Sequence, residues 1–427
     1  MVEPRVWLQE PRLLTAPDQP YVSTDVLIAA DGQLLAMGEH AVSQARAAAL
    51  QPRHCPELWL APALVDPHSV LEDPLSGRAE TLASLSAAAL AGGYGSLALL
   101  PWGNPWRDRP ERLLLPDATP LQLLLWGSFT RNGEDLELAP HADQLAAGAL
   151  GLAGADHCPP LALLERGLRL AETGEAPLLL APRDPSIAGP GFVREGADAL
   201  RAGWPLDTSL SETVPLQALL TLAIEHRAPA LRLLNLSTAG AVTLLSGLPN
   251  EQRPQASVSW WHLIADCARL DPVAEGWRVV PSLGRPADRA ALISALAQGV
   301  VQAVAVHHLA LDAEERLLPL DQRRAGVAGH GSVLPLLWQE LVVGHGWSPS
   351  LLWQTLCWGP ARFLGIEPPQ LQVGRRDWIL FDPQGQQPAT SPVLAANRPS
   401  VESWLPTARR GGAVLAGGLL PPERWAL

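Results

Sequence analysis

The sequence predicts an α/β fold: a (β/α)8 TIM-like barrel with a small β-sandwich domain formed by both chain ends. Three observations carry this expectation. Eight short apolar runs alternate with longer amphipathic stretches, the pattern of βα units around a parallel sheet. Strand-and-turn patterning precedes residue 58 and returns after residue 366. The chain has 427 residues, of which 47% are hydrophobic and only 17% charged, ample for a large core.

In chain order, Val22 to Ala29 is an apolar-alternating run, Asp31-Gly32 is a hairpin turn signal, and Leu34 to Met37 is its partner. Residues 1–57 are therefore assigned to the N-terminal part of the small β domain. The eight runs are Trp59 to Val65, Ser96 to Leu100, Leu121 to Trp126, Ala149 to Ala153, Pro177 to Ala181, Leu231 to Leu236, Ala256 to Ser259 and Gln302 to Val306. Helical spacing lies between them, as in Leu161, Leu164 and Leu168, or Leu216, Leu219 and Leu220. Eight such units make residues 58–366 a barrel. Asp377 to Phe381 and Gly412 to Leu415 again read as strands, which assigns 367–427 to the C-terminal part of the small β domain. The proline-rich stretch Pro101 to Pro110 reads as a long βα loop, since apolar runs flank it.

Composition excludes several functions. Lys plus Arg total 31 against 43 Asp plus Glu, a formal charge of -12, which argues against nucleic acid and anionic membranes as partners. Every basic residue is arginine, so Schiff-base chemistry, a phosphate-loop lysine and a lysine carbamate bridging two metals are all excluded. Arginine in place of lysine, beside abundant Ala, Leu, Gly and Pro, matches the drift of a GC-biased genome. Cys55, Cys158, Cys267 and Cys357 are too scattered for a CxxC pair or a disulfide framework, consistent with a reducing compartment. With no signal-peptide pattern and no apolar run of membrane-spanning length, the expected location is cytoplasmic.

Barrel active sites form at the C-terminal ends of the strands. The residues standing there include Asp66 and His68 after the first run, Trp102 after the second, Arg183-Asp184 after the fifth, Asn235 at the end of the sixth, Trp260-Trp261-His262 after the seventh, and His307-His308 after the eighth. Neighbouring residues on a strand point to opposite faces, which opposes a shared metal on His307 and His308. The tryptophan pair reads as core packing ahead of a ligand platform, and Arg183 with Asp184 as a loop ion pair.

Several segments together resemble the zinc dihydroorotases of the amidohydrolase superfamily: Ala61-Pro62-Ala63-Leu64-Val65-Asp66-Pro67-His68, the Ala91-Gly92-Gly93-Tyr94 turn, Leu236-Ser237-Thr238-Ala239-Gly240, Gly329 to Leu337, and Pro360 to Gly365 followed by Asp377 to Asp382. The resemblance implies a cyclic-amide hydrolase scaffold in which zinc activates a hydroxide. Carried over residue by residue, it also implies that the chemistry is gone. The family's Asp-x-His-x-His is Asp66-Pro67-His68-Ser69-Val70; its substrate arginine is Glu72; its bridging position falls at Gly154 and Ala155, beside Asp156. The later histidines become Ala181 and Asn235, the catalytic aspartate becomes His307, and the histidine after the eighth strand becomes Leu311. A substrate asparagine becomes Trp102, and Val280 to Gly284 replaces a substrate-binding segment.

His68 is thus the sole residual ligand position, and one imidazole does not hold a catalytic zinc, which needs about three protein ligands. The expectation is a dihydroorotase-like pseudoenzyme with no cofactor and no catalytic residue, keeping a remnant pocket of Asp66, His68, Trp102, Asn235, His307 and His308. Inactive homologues in the family serve as structural partners of aspartate carbamoyltransferase, which makes that enzyme the expected partner, with a homo-oligomer also open. The alternative is an active dihydroorotase, interconverting carbamoyl aspartate and dihydroorotate with zinc in an atypical site.

Overall fold

The computed structural model describes residues 3–17, 19–115, 119–228, 230–270, 277–385 and 411–427. The arginine pair at 409–410 lies outside the described residues.

The barrel strands follow one another in chain order, each parallel to the last. Leu64–Ser69, Tyr94–Leu99 and Gln122–Leu125 pair side by side. The third strand bends at Trp126, whose N–H still donates to Leu99 O at 2.9 Å, and resumes at Gly127–Ser128. Pairing then continues through Leu152–Ala153, Leu178–Leu180, Leu231–Leu233, Gln255–Ser259 and Ala303–Ala305. The eighth strand returns to the first through His307 N–H on His68 O at 3.1 Å and Val70 N–H on His308 O at 2.8 Å. The interior is filled by Leu, Val, Ala and Trp, as expected of strands covered on both faces.

The small domain is two stacked sheets. One orders Leu34–Met37, Val26–Ala29, Pro4–Gln9 and Pro52–His54; the other orders Ala413–Gly417, Trp378–Asp382, Trp59–Pro62, Arg12–Leu13 and Val22–Ser23. Val6, Leu8, Val26 and Ile28 of the first meet Leu13, Leu60, Trp378 and Leu380 of the second in a separate core.

Two strand readings need correction. Trp59 to Val65 is not one strand: Trp59–Pro62 pairs antiparallel with Trp378–Asp382 in the small domain, and only Leu64–Ser69 enters the barrel. Val22 to Ala29 likewise divides into Val22–Ser23 and Val26–Ala29, in different sheets. In the first case apolar residues run on while the pairing partner changes; in the second the change falls at the polar Thr24-Asp25.

The Ala91-Gly92-Gly93-Tyr94 turn has a physical reason. Gly93 sits at φ 88°, and a Cβ on Gly92 would stand 2.2 Å from the carbonyl oxygen of His330. The missing side chain lets helix His330–Leu337 seat against the turn. A backbone carbonyl at the start of a buried helix cannot swing aside, so Gly92→Ala is expected to lower stability by about 1–3 kcal/mol. Urea unfolding should show this as a lower midpoint with an unchanged slope; an unchanged midpoint would mean that the helix is not held there.

Candidate functional site

The first and eighth strands bring Asp66, His68 and His307 to one end of the barrel. Asp66 is fully buried and accepts three hydrogen bonds: from Ser69 Oγ at 2.5 Å, from the Val306 N–H at 3.0 Å and from His330 Nε2 at 2.9 Å. His68, also fully buried, meets His307 Nδ1 to Nδ1 at 3.1 Å, so one ring carries the bridging proton and the other accepts it. Its second nitrogen, Nε2, lies 2.8 Å from Ser257 Oγ. Both nitrogens of His68 are therefore engaged by the protein itself.

His307 takes a left-handed backbone conformation, φ 47°, which turns its ring toward His68 and edge-on to Trp102 at 5.7 Å between centroids. His308 goes the other way, as strand alternation predicts. Its Nε2 lies 3.1 Å from Glu80 Oε2, and its ring stands 5.0 Å from that of His330. Asn235 also has positive φ, 51°, and is buried. Its N–H donates to Ser257 Oγ at 3.0 Å, while neither side-chain amide atom has a hydrogen-bond partner among the described residues.

Trp102 forms one wall of an open cleft of about 490 Å³ with Trp106, Asp156, His157, Arg278 and His307. Its Nε1 donates to Gly154 O at 2.9 Å. Deeper down, Asp156, Ala181, Asn235, Pro281 and His307 enclose a void of only about 10 Å³, room for no more than a single water molecule. Trp260 and Trp261 are fully buried core residues. The Arg183–Asp184 reading fails: Arg183 pairs with Asp156 at 3.2 Å, and Asp184 instead caps helix Pro185–Ala188 through the Ser186 N–H. Glu72 does not stand free in the mouth but pairs with Arg324.

Burial, followed by the neighbouring His307, pushes the His68 imidazolium well below the usual histidine range. Burial also takes His307 down to about 4, although the Asp66 and Asp156 carboxylates work against it. Both rings are neutral at pH 7. His157 is the opposite case: clamped between Asp135 at 3.0 Å and Asp156 at 2.9 Å, it is raised to about 9. Ser257, Glu80, His157 and His330 were not singled out by sequence reasoning. The signal for His330 was its place inside the Gly329 to Leu337 segment; for the others there was none.

No family model matches the chain. A probable dihydroorotase-like protein of Synechocystis is 32% identical over 361 residues, covering 76% of this chain and 80% of that protein. The chain belongs to the dihydroorotase-like family. A dihydroorotase-like protein of Pseudomonas aeruginosa is 31% identical over 339 residues, covering 77% of this chain and 79% of that one. The fold of this dihydroorotase-like chain is also that of solved hydantoinase and dihydropyrimidinase structures. The L-hydantoinase of Arthrobacter aurescens superimposes with a TM-score of 0.72 at 16% identity, covering 97% of this chain and 94% of that chain. The dihydropyrimidinase of Brevibacillus agri gives 0.69 at 17% identity, covering 96% and 93%.

The two kinds of histidine give opposite pH dependences. The folded value of His307, about 4, lies below the ordinary 6.5, so between those pH values the unfolded chain binds a proton that the folded chain refuses. The stability is complete above 6.5 and is lost as pH falls toward 4, on the order of 3 kcal/mol for this group. His307→Asn, which tolerates the left-handed backbone, is expected to remove about one proton from the slope of unfolding free energy against pH over that interval. His157 contributes stability that is complete below 6.5 and lost as pH rises through about 9, so His157→Gln should flatten the alkaline side. Urea unfolding from pH 4.5 to 9.5 checks both; a His307→Asn slope equal to that of the parent would contradict the buried neutral pair.

Proposed function

We propose that this dihydroorotase-like protein is a catalytically inactive homologue that serves as a structural partner of aspartate carbamoyltransferase in pyrimidine biosynthesis. The observation that carries this reading is the engagement of His68 by His307 and Ser257. A catalytic zinc needs about three protein ligands and an open position. Here the residual ligand's nitrogens face protein partners, and His307 brings a second imidazole to within hydrogen-bonding distance of His68. Ala181 and Asn235 line the adjoining void, which has almost no volume. Among the described residues no group of three or more His, Cys, Asp or Glu stands in a metal-holding arrangement. The residues present do not fit the zinc of the family, and no step is derived through it.

Among the described residues of the barrel mouth, His307 and Asp156 are groups that could move protons. Arg278, Arg324 and Trp102 line the cleft, Arg324 being matched to Glu72. What remains is a barrel whose strand ends are tied to one another, and on this reading its outer surface is what meets the partner.

Three measurements on the purified full chain test this reading. Metal analysis is expected to find far less than one zinc per chain. Neither ring closure of carbamoyl aspartate nor hydrolysis of dihydroorotate should exceed the uncatalysed rate. The chain should co-elute with the aspartate carbamoyltransferase of the same cell. Stoichiometric zinc, with turnover that His68→Ala abolishes, would establish the active hydrolase instead; separate elution would remove the named partner.

A further inference from the structure

The cleft at the barrel mouth has an aromatic wall. Trp102 and Trp106 stand half-buried on the loop after the second barrel strand, their rings stacked with centroids 6.5 Å apart and planes 29° from parallel. Each indole N–H is already satisfied by the protein, Trp102 Nε1 donating to Gly154 O at 2.9 Å and Trp106 Nε1 to Ser128 Oγ at 2.8 Å. Gly133 closes on Trp106 from the next loop, where a Cβ would stand 2.5 Å from the ring. What the pair turns to the cleft is therefore hydrocarbon, held in a fixed position. Val279, Val306, Leu309 and Val327 also line the cleft. A largely apolar recess of about 490 Å³ with a fixed aromatic wall has the size and character of a small-molecule site.

Charge is unevenly matched around it. His157 lies between Asp135 and Asp156, and Arg324 between Glu72 and Glu315, so these cations have carboxylate partners. Arg278 and Arg323, which also line the cleft, are fixed in another way. Arg278 Nη1 donates to Leu320 O at 2.7 Å, and its guanidinium stands 4.8 Å over the Phe192 ring. Arg323 Nη2 donates to Arg316 O at 2.7 Å and to Leu318 O at 3.2 Å. Carbonyl oxygens and a ring face orient a guanidinium without neutralising it. The carboxylate that bears on Arg278 is Asp321, which is exposed. On a chain of formal charge -12, two oriented guanidinia beside an apolar recess make a local anion site. The small void beneath shares Asp156, Val280 and His307 with the cleft, and Asn235 lines it. That side chain is 2% exposed, and its amide, a donor and an acceptor without partners among the described residues, is available to a ligand's polar edge.

We propose that this cleft binds a flat aromatic ring that carries an anionic group, a phosphate or a carboxylate, with the ring against Trp102 and Trp106 and the anion on Arg278 and Arg323. Trp106, Arg278 and Arg323 fall at none of the metal or substrate positions that the family resemblance assigns, and Trp102 puts a stacking surface where the family has a hydrogen-bonding asparagine. The site therefore differs from the family's in both of its contacts: the position of the substrate arginine is Glu72, which is occupied with Arg324. A planar ring suits this wall better than a saturated one, because stacking on indole needs a π face. A neutral aromatic molecule would leave the guanidinia without a counter-charge, and a simple inorganic anion would leave the indole wall wet. Occupancy is reversible and makes or breaks no covalent bond. This inference does not rest on the loss of catalysis, since binding is measured without turnover.

Calorimetric titration of the full chain with adenosine monophosphate and with naphthoate is the test. At least one of the two is expected to bind with a Kd below about 1 mM, and the one that binds identifies the anion as phosphate or carboxylate. The halves taken apart, adenosine and phosphate for the first probe, naphthol and acetate for the second, should each bind at least about 10-fold more weakly. Arg278→Gln and Arg323→Gln should each weaken the joined probe by about 10-fold, and Trp106→Leu by a similar factor through the lost stacking. A melting temperature close to the parent's identifies the variants that have folded, and Arg323→Gln serves where loss of the Phe192 contact unfolds Arg278→Gln. Three results would overturn the proposal: neither probe binds, a neutral ring or a bare anion binds as tightly as the joined molecule, or the affinity is the same in every folded variant.

Discussion

A buried carboxylate holds the barrel's seam. Asp66 has no exposure to solvent, yet it accepts hydrogen bonds from its own strand through Ser69, from the eighth strand through the Val306 N–H, and from the helix that follows through His330. Leaving any of those donors out would strand a charge in a medium that solvates it poorly. Ring closure of the barrel, the seat of helix His330–Leu337 and the orientation of the strand ends therefore depend on one another. The Gly92 turn serves the same end, because it lets that helix approach closely enough for His330 to reach Asp66.

The His68–His307 pair extends this seam toward the mouth. Two neutral imidazoles in contact form a short-range tie between the first and last strands, and the tie requires neither charge nor ion. Its geometry depends on a backbone conformation at His307 that few residues with a side chain adopt. Ser257 in turn anchors both His68 and the backbone of Asn235, so three strands converge on one hydroxyl. This arrangement supports the proposal of a scaffold: the place where the family does its chemistry is occupied by hydrogen bonds that the chain makes to itself.

Much of this was legible in the sequence, and what was not has physical reasons. The second to eighth apolar runs overlap barrel strands, because strands covered on both faces are mostly apolar. The same continuity concealed the change of partner between Trp59–Pro62 and Leu64–Ser69, where no polar residue marks the boundary. The strand-end rule led to Asp66, His68, Trp102, Asn235, His307 and His308, and the structure brings His68, His307 and Trp102 into contact while sending His308 to Glu80. Ser257 was hidden because its contact with His68 spans 189 residues and nothing local marks it, while His330 lay inside a recognised segment but reaches its partner Asp66 across 264 residues. Arg183 shows the converse error: an adjacent opposite charge looked like its partner, but the loop directs Asp184 to a helix cap and leaves Asp156 to the guanidinium.

The central claim is that His68 is a structural residue bonded to protein on both sides, not a metal ligand. Nitrogen-15 NMR of the histidine-labelled full chain tests it most directly, with His307→Asn used to assign the pair. The account predicts one slowly exchanging ring proton bridging His68 and His307, both rings neutral at pH 7, and no change in either signal when equimolar zinc is added. Loss of the bridging proton on zinc addition, with both rings shifting as metal-bound imidazoles do, would contradict it.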